Sequence, residues 1–195
     1  MFTAQAATTW LTKFGDAIAT NKAYLSDLDT PIGDGDHGNN MARGMTAVQA
    51  ALATQTDADL TTVFKTVAMA LISKVGGASG PLYGTAFLEM AKASKAGTTD
   101  LPTLLAAALA GIEKRGGAQA GDKTMLDVWV PVVAAVQADK LDATVIATAV
   151  DSTKPMIAKK GRASYLGERA IGHLDPGAVS SGYLFTALLE TEAQA

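Results

Sequence analysis

Apolar residues along this chain recur at intervals of three and four. Trp10, Leu11, Phe14 and Ile18 fall on one helical face, and so do Leu60, Val63, Phe64, Val67, Leu71 and Ile72. Leu101, Leu104, Leu105, Leu109 and Ile112 repeat the pattern. Stripes of this kind mark amphipathic helices with one face turned to a core. No segment sustains the apolar/polar alternation of a half-buried strand. The spacing predicts helices over 3–21, 39–53, 57–74, 80–96, 101–114, 123–138, 141–159 and 176–191, an all-α chain of eight helices. The 38 alanines and 6% aromatic content favour helices over strands in the same way.

The seven connections are of two kinds. Around Thr54–Thr56, Gly97–Asp100 and Asp139–Lys140 the chain merely turns. Asp29–Gly38, Gly76–Gly80, Arg115–Asp122 and Gly161–Asp175 are rich in Gly, Asp, Asn or Ser. The rich loops are the first, third, fifth and seventh connections. In a bundle whose helices alternate up and down, as short connections favour, all four lie at one end. One end is then built for chemistry. The plainer alternative is that long glycine loops are tolerated surface insertions.

Composition narrows the possible chemistry. The chain has 195 residues, 48% of them hydrophobic, which suits a single domain over 1–195 with a sizeable core. Its 19 acidic and 16 basic residues leave a net charge of −3, the wrong sign for a nucleic-acid binder. The absence of cysteine excludes disulfides, thiolate metal sites and a cysteine nucleophile, and two histidines are too few for a multi-histidine metal site. The charge-free run Val75–Leu88 is broken by glycines and Pro81 and is too short to span a bilayer. The N-terminus lacks a basic region followed by an apolar run. The expectation is a soluble cytoplasmic protein without nucleic-acid or membrane partners.

The loop from Asp29 to Asn40 carries Asp29, Asp34 and Asp36 within eight positions, interleaved with Gly33, Gly35 and Gly38. Packed together, such carboxylates raise one another's pKa unless cations hold them ionised, and oxygen ligands of this kind suit Mg²⁺ or Ca²⁺. A solvated turn with capping Asp and Asn uses the same letters. The spacing is not that of an EF-hand. Gly33, Gly35 and Gly38 match the dinucleotide fingerprint by letter, but no strand precedes them and carboxylates fill the gaps, so the Rossmann reading fails. No Gly-Lys pair exists, so there is no Walker A loop either. His37, beside the acidic cluster, is a candidate metal ligand, phosphate donor or phosphorylated residue, or a loop histidine satisfied by an Asp.

The loop Gly76–Pro81 leads into a helix, with Ser79 or Gly80 as its cap and Pro81 in its first turn. Free N–H groups at such a helix start favour an anion. Pro81 replaces the second glycine of a nucleophile elbow, which argues against a serine hydrolase. Gly121–Met125 reads as another capped start, and Asp175 with Pro176 as a third. Arg162, one of four arginines, is a candidate phosphate contact or half of a surface ion pair. His173 reads as structural, and Leu82 or Met125 could line an adenine site. Carboxylates for cations, helix starts for phosphates and an arginine at one end together suit a metal-complexed polyphosphate.

These motifs resemble a known family over essentially the whole chain. Asp29 with Gly33–Asn39, Gly77–Gly84, Gly121–Met125, Gly161–Arg169 and Asp175–Ser181 are similar to the nucleotide-binding subunits of bacterial dihydroxyacetone kinases. The resemblance implies an antiparallel eight-helix barrel with the nucleotide at one end. It implies ADP/ATP and two Mg²⁺ ions as cofactors, with Asp29, Asp34 and Asp36 as metal ligands. His37, Gly38, Asn39, Asn40, Ala78 and Ser79 would hold phosphates. Gly116, Met125, Asp175, Pro176 and Gly177 would line the rest of the site. Arg162 and His37 would serve catalysis. The implied partners are a phosphohistidine donor subunit of the phosphotransferase system and a kinase subunit that holds dihydroxyacetone. The chain has no room for a fused substrate domain, which favours the phosphotransferase-dependent form. Two other readings stand beside it: an ATP-exchanging kinase subunit for a small polyol or ketose, and a nucleotide-sensing regulator that contacts a transcriptional regulator.

Overall fold

The computed structural model describes residues 1–55 and 57–193. The described residues form nine α-helices and a 3₁₀ segment, with no strand. The helices are α1 (Ala4–Thr20), α2 (Lys22–Asp29), α3 (His37–Ala53), α4 (Leu60–Lys74), α5 (Ser79–Lys95), α6 (Leu101–Gly116), α7 (Leu126–Gln137), α8 (Ala143–Asp151) and α9 (Pro176–Glu192). Arg162–Ala170 is the 3₁₀ segment. From α3 onward each helix packs on the next, and α1 packs on both α3 and α9, so the circuit of contacts closes on itself. The short α2 lies against α3 and α9.

The predicted stripes build the core. Trp10, Leu11, Phe14, Ile18, Phe64, Val67 and Leu71 are fully buried. The Trp10 ring lies 6.0 Å from Phe2 and 5.8 Å from Phe87, and its Nε1 donates to the Leu184 carbonyl at 2.8 Å, tying α1 to α9. One member departs from its stripe. Ile72 is 44% exposed because it lies across the surface of α5, where a Cβ on Gly84 would meet it.

Several boundaries differ from the spacing. The predicted start at 57 moves to Leu60 because the Asp59 carboxylate accepts the Thr62 N–H at 2.7 Å. Thr56, part of the predicted turn around Thr54–Thr56, lies outside the described residues. Residues 22–29 form a helix that the spacing does not reveal, since Leu25 is its single fully buried residue. The predicted helix 123–138 begins only at Leu126, because Lys123 takes φ +60°. The predicted helix 141–159 stops at Asp151. Pro155 follows, and Pro disfavours helical geometry in the residue before it. The expected loop over Gly161–Asp175 holds the 3₁₀ segment.

The chain from Ser152 to Asp175 forms a strap held down by one buried lysine. Lys123 is 1% exposed, and its Nζ donates to the carbonyls of Thr153 (2.7 Å), Met156 (3.2 Å) and His173 (2.6 Å). Burial lowers its pKa against the opposing pull of Asp175 and Asp127. Ile32 packs with Ala158, Ala163 and Ala170 beneath the strap and fixes it to the first acidic loop. Asp175 ends the strap and caps α9, its Oδ2 accepting the Ala178 N–H at 2.7 Å.

Two outcomes follow from this packing. A Cβ on Gly38 would strike the Lys22 carbonyl, and backbone cannot yield as a side chain does. Gly38→Ala should therefore lower the unfolding free energy by about 2 kcal/mol, read by urea titration. Burial lifts the Asp175 carboxyl from 3.8 to about 7, with the nearby Asp127 and Asp29 charges adding to it. Between those values the native state keeps a proton that the unfolded chain has released. Stability from this group is thus present at low pH and lost as pH rises toward 7. Asp175→Asn retains a capping side chain without the charge. It should raise the urea midpoint at pH 8 and leave it unchanged at pH 4.

Candidate functional site

Four chain segments meet at one end of the bundle around a cleft of about 560 Å³. They are the four rich loops of the sequence, so the segregation expected from alternating helices is observed. The helix starts of α3, α5, α7 and α9 contribute His37, Ser79, Leu126 and Pro176 to the wall. The N–H groups of a first helical turn lack intrahelical partners and carry positive partial charge. Four such ends around one space favour an anion.

The acidic cluster faces this space. Asp29, Asp34 and Asp36 each offer a carboxylate oxygen within 4.8 Å of the others. Asp29 ends α2, and its Oδ2 accepts the N–H groups of Asp36 (3.0 Å) and His37 (3.2 Å), capping α3 from outside. That releases Asp36, which occupies the cap position of α3 but makes no capping hydrogen bond with its side chain. A Cβ on Gly33 would run into the Asp29 carboxylate, so only glycine allows the loop to close this tightly. Arg162 reaches across from the 3₁₀ segment and pairs with Asp34 at 2.9 Å. Burial, followed by the Asp34 charge, raises the Asp29 pKa, while the N–H of His37 opposes it. Clustered carboxylates with few compensating cations suit a hard divalent ion.

His37 does not behave as an exposed loop histidine. Burial lowers its pKa to about 4, so it is neutral near pH 7. Its Nε2 lies 3.0 Å from Ser180 Oγ and its Nδ1 lies 3.3 Å from Ser79 Oγ. Ser180 in turn meets Tyr83 Oη at 2.8 Å, and Tyr83 meets Ser181 at the same distance. Trp129 Nε1 donates to Ser181 at 3.1 Å. A run of hydroxyls thus connects the cleft to the core. The Ser79 side chain makes no cap hydrogen bond: Ala78 holds the cap position and Ser79 is the first helical residue.

Of the candidates named from the sequence, Asp29, Asp34, Asp36, His37, Asn40, Ala78, Ser79, Gly116, Met125, Arg162, Asp175, Pro176 and Gly177 all line the cleft. Gly38 and Asn39 do not: Gly38 is packed against α2 and Asn39 is exposed. Leu82 lies in the wall with Met125. Lys123 and Thr124, part of the Gly121–Met125 motif but given no site role from the sequence, also line the cleft. The spacing places Lys123 at a capped helix start, and nothing local announces the three carbonyls that bury it. The turn is set by Asp127, which accepts the N–H groups of Gly121 (2.5 Å) and Thr124 (2.7 Å).

Comparison with known proteins agrees with this geometry. The DAK2 domain family matches residues 31–190. The chain is 58% identical to the ADP-binding subunit of PEP-dependent dihydroxyacetone kinase 1 from Listeria innocua, over 94% of each chain. It is 52% identical to the corresponding subunit of the PTS-dependent kinase of Lactococcus lactis, over 99% of this chain and 100% of that one. The fold is similar to the dihydroxyacetone kinase of C. freundii in complex with AMP-PNP and Mg²⁺, with a TM-score of 0.78 and 25% identity. That match covers 94% of this chain but 33% of that kinase. With a cleft of this composition and relatives matched end to end, the chain belongs to the DAK2-domain family, among the ADP-binding subunits of dihydroxyacetone kinases.

Proposed function

We propose that the cleft holds ADP/ATP as a resident coenzyme with two Mg²⁺ ions. A phosphohistidine donor subunit of the phosphotransferase system would supply the phosphoryl group, and dihydroxyacetone held on a separate kinase subunit would receive it. The observation that carries this reading is the acidic cluster, three carboxylate oxygens within 4.8 Å at the mouth of a cleft ringed by four helix starts. The donor set is all oxygen, as Mg²⁺ requires. The names of the relatives support ADP as the nucleotide, and the C. freundii complex supports magnesium. The closed circuit of α1 with α3–α9 is compatible with the implied antiparallel barrel. No helix among the described residues is long and apolar enough to cross a membrane, in keeping with a cytoplasmic site of action.

Residue roles follow from position. Asp29, Asp34 and Asp36 would hold the cations, which when bound neutralise and orient the polyphosphate. The N–H groups that start α5, with the side chains of Asn40 and Ser79, would hold the phosphate oxygens. Neutral His37 would orient the Ser79 hydroxyl and would add no charge of its own. Met125, Leu82 and Gly116 would provide an apolar wall for the base. Arg162 is 71% exposed at its side chain and is free to leave Asp34 for a transferring phosphoryl group, whose spread negative charge its planar fork matches. Phosphoryl transfer depends on positioning and charge neutralisation, and the cleft supplies both.

The test is an assay with both partner subunits, phosphohistidine donor and dihydroxyacetone. Sugar phosphate should form at catalytic ADP concentrations without added ATP. A strict requirement for stoichiometric ATP would move the assignment to an ATP-exchanging kinase subunit, and no transfer despite bound nucleotide would move it to a regulator. Asp34 is partly exposed, so Asp34→Asn should fold normally and lose nucleotide and transfer together, by about 100-fold or more. Full activity in that variant would remove Asp34 from the site.

A further inference from the structure

Asn40 and its neighbour Arg43 lie one helical turn apart on α3. Arg43 Nη2 donates to Asn40 Oδ1 at 2.7 Å, and Arg43 Nε donates to the Lys74 carbonyl at the end of α4 at 2.8 Å. A guanidinium can only donate, so this contact settles which end of the Asn40 amide is oxygen. Nδ2 is then the donor end of the amide. Asn40 is 7% exposed and lines the cleft, whereas Arg43 is exposed and stands outside the cleft wall. Among the described residues Nδ2 has no hydrogen-bond partner, yet it is not a sealed, orphaned atom; Ser26 Oγ is the buried polar atom left without a partner. The flat face of the amide rests on Gly76, where a Cβ would come within 2.7 Å of Oδ1. The amide is therefore held on its oxygen and on its face, while its two N–H donors have no partner among the described residues in a side chain that lines the cleft.

We infer that Arg43 is a positioning residue for the nucleotide site: it locks Asn40 in the one amide orientation that presents Nδ2–H to a phosphate oxygen, and it takes its own bearing from the end of α4. The inference rests on the reading of the cleft as a nucleotide site. It differs from a role for Arg43 as a second cation, because the guanidinium acts through Asn40 and through no contact of its own with the ligand. Lysine cannot replace it. An ammonium is a point donor and cannot hold the Lys74 carbonyl and the Asn40 oxygen in one plane.

A double-mutant cycle on the full chain, stripped of nucleotide with chelator and titrated with MgADP in a calorimeter, tests this. Asn40→Ala should weaken MgADP by about thirtyfold, the loss of a hydrogen bond to a charged group. Arg43→Met and Arg43→Lys should each weaken it by about tenfold, with the thermal midpoint of the nucleotide-free protein unchanged. Adding Arg43→Met to Asn40→Ala should weaken it no further. Additive losses, or full affinity in Arg43→Lys, would overturn the inference and make Arg43 a simple charge. An Asn40→Ala variant of undiminished affinity would overturn both the inference and the role of Asn40 in the site.

Discussion

Three like charges held within 5 Å of one another are the constraint around which this protein is organised. Left alone they would push the first loop open. They are kept together because Asp29 is pinned by two backbone N–H groups at the start of α3, because Gly33 leaves space for its carboxylate, and because Arg162 offsets the charge of Asp34. Each of these depends on something larger. The N–H groups depend on α3 starting at His37, and that start depends on the backbone contact between Gly38 and α2. Arg162 depends on the strap, and the strap depends on Lys123 beneath it.

The opposite electrostatic demand is met by helix ends. Four helix starts converge on the cleft without a formal positive charge being buried there, apart from Lys123, whose ammonium is satisfied by three carbonyls. Neutral His37, joined to hydroxyls on both ring nitrogens, fits the same plan. A space bounded by carboxylates on one side and N–H groups on the other discriminates. It suits an anion that brings its own cations better than either alone. Two side chains at the cleft are held from behind, Asn40 by Arg43 and Ser79 by His37.

Much of this is legible in the sequence. The all-helical class follows from apolar spacing alone, and the gathering of the four rich loops follows from their alternation with plain turns. Asp175 with Pro176 reads directly as a helix start and is one. What was not legible depends on long-range packing. Residues 22–29 form a helix on the strength of their neighbours, α3 and α9, and show no stripe of their own. The strap that follows the shortened helix expected over 141–159 is held by Lys123, thirty residues upstream, which takes the Thr153 carbonyl. Ser79 looked like a cap and instead serves His37, a partner 42 positions away. Local sequence specifies turns and faces, but it does not say which distant group will claim a hydroxyl or a carbonyl.

On the reading proposed for this cleft, the acidic cluster and the helix starts together hold a metal–nucleotide complex as a resident group. Native mass spectrometry of the purified, desalted protein tests it most directly. A mass above that of the chain by one ADP and two Mg²⁺, persisting after a non-hydrolysable ATP analogue is added and removed, is the expected result. A bare chain, or ready replacement of ADP by the analogue, would contradict it.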